Sequence, residues 1–249
     1  MAMEQTSQWK RWTWRHPEWW SMGLSLLAWL SFLGRGDGAA SSEFNPFYLH
    51  HHAHVEGLLF PWTTEMIAWM IMVVAMMLPL IVDRMRITAM RSMWERRHRS
   101  IFLFTLGYLA VWMLAGIVAG GAIVSLETQT WFRPAIVSAI SFSLAAFWQF
   151  TATKRRALIS CHRTIPLAPH GWRANADCLH YGWLIGGSCL ANCGVLMVAC
   201  SLSGHSLAAM VGAGSIIAVE RYGVRPSPVI FAAAIAGLGL ICAFLYPHQ

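Results

Sequence analysis

The sequence predicts an all-α, polytopic transmembrane helical bundle of about seven spans, or six if a short one is lost. Three observations carry that prediction. The 249 residues are 57% hydrophobic and only 12% charged, whereas a soluble domain carries roughly a quarter charged residues. Apolar runs approach the roughly 20 residues needed to cross a hydrocarbon core. The charges gather between those runs, and the mean hydropathy is positive.

The expected spans lie near Trp19–Gly34, Thr63–Val82, Ile101–Leu126, Pro134–Thr151, Tyr181–Leu202, Ser206–Val219 and Val229–Tyr246. The first and sixth are short, and a short span crosses by thinning the bilayer. The start, "MAMEQTSQWKRWTWRHPEWW", is too polar and aromatic for a cleavable signal. Residues 1–18 therefore read as a cytoplasmic interfacial segment before a retained first helix. Residues 35–62 read as an outer, His-rich loop, and 83–100 and 152–180 as basic cytoplasmic loops, all within one domain, 1–249. Lys10, Arg11 and Arg15, then Arg84 to Arg99, then Lys154 to Arg173, then Arg221 and Arg225 fall on one side with seven spans. By the positive-inside rule that side is the cytoplasm, so the N-terminus is cytoplasmic. The net charge of +7 is thereby assigned to topology and anionic lipid heads. No nucleic-acid partner is expected. The six cysteines, four of them in apolar runs, do not form a secreted disulfide framework.

Methionine marks the second span, "EMIAWMIMVVAMMLPL". At about 100° per residue, Met66, Met70 and Met77 share one arc. Glu65, Met72, Met76 and Asp83 share another. Met also fills irregular gaps between helices, which is the reading without a metal. A carboxylate at each end of a thioether stripe is the pattern of a path for a soft cation, since thioethers suit Cu(I). Ionisable groups within spans face an interior, which singles out Glu65. Pro79 is expected to kink the inner end and free a backbone carbonyl.

The fifth span holds "SCLANCGVLMVAC". Cys189, Cys193 and Cys200 fall within about 40° on a helix, with Met197 on the adjoining flank. Buried free cysteines also serve as small hydrophobes. In the outer loop His50, His51, His52 and His54 crowd beside Glu56, a candidate metal-collecting site. His205, in the turn after the fifth span, extends that outer set with Met210. Cys161, His162, Cys178 and His180 offer a weaker Cys/His grouping on the inner face. Glu220 and Arg221 are explained by topology alone. No phosphate-binding glycine loop, nucleophile elbow or zinc-protease helix is present.

The stretches "WMIMVVAMMLPL", "WQFTATKRRALISC" and "CLANCGVLM", followed by a Met and a Glu, are similar in order and content to a bacterial family. It is described only as predicted metal-binding integral membrane proteins of unknown function. The resemblance covers roughly 62–221 and is most specific at the Ala-Met-Met-Leu-Pro motif. It implies family positions at Met70, Met76, Met77, Pro79, Lys154, Cys161, Cys189, Cys193, Met197, Met210 and Glu220. Three positions depart from it. Asn192 replaces a frequent cysteine, Ala157 replaces another, and His205 stands where Met is common.

The candidate metal ligands are thus His50, His51, His52, His54, Glu65, Met70, Met72, Met76, Met77, Cys189, Cys193, Met197, Cys200 and His205. The expected function is copper handling (acquisition, transfer or insertion into a membrane cuproenzyme) in the bacterial inner membrane. Copper is the expected metal, with zinc or iron as alternatives. The expected partners are the lipid bilayer and other membrane subunits. Two other readings stand beside it. One is a metal-binding or accessory subunit of a membrane oxidase or monooxygenase. The other is a purely structural membrane subunit.

Overall fold

A computed structural model describes residues 16–34, 59–129, 133–168, 170–223 and 227–245. The described residues form nine α-helices and no strand. These are α1 (Trp19–Leu33), α2 (Leu59–Met77), α3 (Val82–Arg91), α4 (Arg97–Glu127), α5 (Pro134–Trp148), α6 (Ala152–Ser160), α7 (Gly171–Leu202), α8 (Leu207–Tyr222) and α9 (Pro228–Leu245). Outer loop residues His50, His51, His52 and His54 lie outside the described residues.

Among the described residues two helical stretches are long and apolar enough to cross a membrane, Trp94–Leu126 and Gly171–Leu202. Two more qualify only as bent pairs, Trp62–Met77 with Pro79–Arg91 at 43° and Pro134–Trp148 with Ala152–Ser160 at 73°. Helices α1 and α9 are apolar but shorter, and α8 has 16 residues. The all-α expectation holds, and two to four spans are supported. Seven complete crossings are not, because breaks at Leu78 and at 149–151 divide two of the expected runs and three others are short. Helix also replaces loop over much of 83–100 and 152–180. Arg and Lys are good helix formers, so a basic stretch between apolar runs need not be irregular.

Helices α4 and α7 form the centre. Gly107 of α4 faces the Leu179 carbonyl and Gly182 of α7 faces the Phe104 carbonyl, each too closely for a Cβ. The two backbones therefore cross in contact, as small residues permit between apolar helices. Helix α2 packs on α4, α1 on α2, α5 between α7 and α9, and α8 against α7, α9 and α2.

The local rules that shape the site are visible at two breaks. Pro79 has no N–H to give the Ala75 carbonyl four residues earlier. Ser25 Oγ donates to that carbonyl at 2.7 Å and Trp29 Nε1 at 3.0 Å, so the kink supplies the acceptor that docks α1. At the α5–α6 corner Thr151 caps α6, its side chain accepting from the Lys154 amide at 3.2 Å. The cap turns Lys154 inward.

Candidate functional site

The sulfur stripe of α7 is buried throughout. Cys189, Met197 and Cys200 are inaccessible and Cys193 is nearly so. Met72, Met76 and Met77 of α2 and Met210 of α8 belong to the same buried core. Met76 faces α8, where its side chain lies next to Gly214, one turn beyond Met210. Met70 is half-buried at the margin of this core. Asp83 does not continue the Glu65–Met72–Met76 stripe. The 43° bend at Pro79 carries it onto α3, where it is exposed.

One end of the sulfur-rich core is a polar knot around His205. The chain turns there with His205 at φ 54°, a left-handed conformation uncommon for a non-glycine residue. Its Nε2 lies 3.2 Å from Ser201 Oγ and 3.7 Å from Glu65 Oε1. Its ring stacks on Phe32 at 6.4 Å and 16°. The structure thus brings together Glu65 and His205, two predicted ligands from distant parts of the chain. Cys200 lies just inside, its thiol donating to the Ala209 carbonyl at 3.8 Å.

The other end is a thiol pair. Cys161, at the end of α6, donates to Cys189 Sγ at 4.0 Å. Asn192 Nδ2 donates to Cys193 Sγ at 3.2 Å, and Arg221 Nη1 donates to Cys189 Sγ at 3.2 Å. The buried Tyr108 hydroxyl stands beside Cys189. Next to the pair, Lys154 Nζ reaches Glu220 Oε2 at 2.8 Å and the Asn192 carbonyl at 3.0 Å. With its amide turned to suit both partners, Gln149 donates to Glu220 Oε1 at 3.0 Å and accepts from Lys154 Nζ at 3.3 Å.

The chemistry of this donor set is soft. A cation about 2.3 Å from each sulfur, the Zn–thiolate distance, would subtend about 120° between sulfurs 4.0 Å apart. Among the described residues no group of three His, Cys, Asp or Glu side chains converges to hold a metal. That angle is trigonal, so a cation at the thiol pair would recruit a third donor such as a thioether, a soft set that suits Cu(I) better than a harder ion.

Lys154, Cys161 and Glu220 are family positions by resemblance, but their partners in this site were not expected from the sequence. Cys161 pairs with Cys189, whereas the sequence grouped it with Cys178 and His180. Cys178 is buried near Arg96 and Ser100, and His180 is exposed. Glu220 and Arg221 are buried parts of the site as well as topology markers. Cys242 of α9, also buried, neighbours Cys200. The available signal for Lys154, Cys161 and Glu220 was the family resemblance, and for Cys242 its position in an otherwise apolar segment.

A family model described as PpoB2, copper chaperone, matches residues 66–245. No curated protein and no solved structure matches the chain.

Proposed function

Because the chain belongs to the PpoB2 copper chaperone family, we propose that it handles copper as a cargo held within a membrane bundle. Cu(I) enters at the Glu65–His205 end, passes the buried thioethers and thiols of α2, α7 and α8, and is held at Cys161 and Cys189. From there it is transferred to a membrane cuproenzyme. The basic segments 83–100 and 152–180 face the cytoplasm in this reading, which puts the thiol pair at the inner end.

One observation carries the reading, the buried Cys161–Cys189 pair at 4.0 Å with methionines and further cysteines in the same core. Thioethers bind Cu(I) without deprotonation, so they offer exchangeable stations at low charge in an apolar interior. Thiolates hold the ion more tightly, which suits them to the end of the path. An oxidase subunit would need nitrogen and oxygen donors with an open position. Among the described residues no group of three His, Cys, Asp or Glu side chains supplies that set, and the family match supports copper, not zinc or iron.

The test is copper analysis of the full chain purified in mild detergent, with X-ray absorption at the copper edge. We expect sulfur-dominated scattering and loss of the bound copper in Cys161→Ser/Cys189→Ser. Unchanged copper content in the double variant, or scattering from nitrogen and oxygen alone, would sink the reading.

A further inference from the structure

We propose that Arg221 restricts the Cys161–Cys189 site to monovalent soft cations, acting as a fixed internal counter-charge. The inference rests on the copper-handling reading and says which oxidation state and charge the site admits.

Arg221 is buried at 7% exposure, and a guanidinium remains charged in proteins. A buried charge has to be paired. The obvious partner is its chain neighbour Glu220, but that carboxylate is already engaged. Lys154 pairs with one oxygen at 2.8 Å, and Gln149 meets the other at 3.0 Å. Among the described residues no carboxylate pairs with Arg221. Its partner is a sulfur, Cys189 Sγ at 3.2 Å. The other charges nearby are Arg84, which meets His162 at 3.3 Å, and Asp83. Arg84 is half-exposed and Asp83 exposed, they are opposite in sign, and water screens them.

The charge count then decides the cargo. Metal-bound cysteines are thiolates, so a loaded pair carries two negative charges. Lys154 and Glu220 cancel. With Arg221 present the loaded pair and its surroundings have a net charge of minus one, and a monovalent cation brings it to zero. A divalent cation would leave one positive charge uncompensated in a dry interior, which is costly. Without Arg221 the same pair would have a net charge of minus two and would be neutralised by Zn(II) or Cd(II). The soft donors favour Cu(I) over harder ions, and the guanidinium adds the charge that separates it from an equally soft divalent ion such as Cd(II).

The experiment loads the purified full chain in detergent with Ag(I), a redox-stable monovalent probe, and separately with Cd(II). Metal retained after dialysis against a competing thiol is counted. Binding at the pair is the difference from Cys161→Ser/Cys189→Ser. Wild type is expected to hold Ag(I) and reject Cd(II). In Arg221→Gln the Ag(I)/Cd(II) preference should fall by about a hundredfold, the effect of one unit charge about 6 Å from the ion at an effective dielectric of about 20. Arg221→Leu carries the same expectation if the Gln variant does not fold. Arg221→Lys should keep the preference, because it keeps the charge. A wild-type preference in the Gln or Leu variant overturns the proposal and leaves copper handling standing. Loss of preference in Arg221→Lys also overturns it, since shape and not charge would then select. Failure of wild type to hold Ag(I) at the pair overturns both.

Discussion

Lys154 Nζ lies 2.8 Å from Glu220 Oε2, and each side chain is only 5% exposed. The pair links the start of α6 to the end of α8, and Gln149 closes the network. Removing one member leaves the other charge buried and unpaired, which costs about 3–5 kcal/mol. Lys154→Met should therefore lower stability strongly in detergent unfolding. Lys154→Met with Glu220→Gln should recover much of the loss, because the second change removes the orphaned charge. A double variant no more stable than the single one would show that the pair is not the source.

The close crossing of α4 and α7 makes a second, sharper contrast. A methyl at Gly107 or Gly182 would run into the facing backbone, whereas nothing lies within 4 Å of one at Gly187. Alanine is a better helix former than glycine by about 1 kcal/mol. Gly187→Ala should thus be neutral or slightly stabilising, while Gly107→Ala and Gly182→Ala should force the central helices apart and destabilise the chain. Thermal unfolding of the three variants side by side is the check. Equal behaviour would contradict the contact between backbones.

The Glu18 carboxyl gives the chain an acid limit. Burial alone would raise its pKa. The hydrogen bonds from Arg86, at 3.0 and 2.6 Å, with its local backbone bond and His16, outweigh burial and hold the carboxyl below its ordinary value. A carboxylate with a lowered folded pKa contributes stability above the unfolded value, about 4.3 for Glu, and loses it as pH falls through the lowered folded value. Arg86 is 43% exposed, so the contribution is modest. Unfolding measured from pH 6 downward should show a slope that Glu18→Gln abolishes. A slope of the same size in the variant would assign it to another group.

How much of this was legible in the sequence depends on whether one helix or two are involved. The stripe Cys189, Cys193, Cys200 and the kink at Pro79 follow from residues on a single helix, where spacing fixes the face. The freed Ala75 carbonyl follows too, since it lies four residues before the proline. What spacing does not contain is which helices meet. Cys161 therefore looked like a partner of nearby Cys178, when a cap at Thr151 and a 73° corner aim α6 at Cys189 instead. Arg221 looked like a topology charge because cations flank spans for that reason as well. Glu65 and His205 were each visible as odd residues in apolar surroundings. Only the packing of α2 against the turn after α7 makes them neighbours.

The docking of α1 tests whether the proline kink is structural or serves the cargo. Ser25 and Trp29 both donate to the Ala75 carbonyl, and removing both leaves a buried acceptor unsatisfied at a cost of about 1–3 kcal/mol. Pro79→Ala restores an amide to that carbonyl, so the loss from Ser25→Ala/Trp29→Phe should shrink in its presence. Met72→Leu/Met76→Leu, on the same helix, conserves volume and should cost less than about 1.5 kcal/mol. Its effect should appear in metal. Copper taken up by the full chain should slow or fall while unfolding is unchanged, because leucine packs like methionine but offers no sulfur. Normal copper uptake in the leucine variant would make these methionines packing residues and leave the Cys161–Cys189 pair to be loaded by another route.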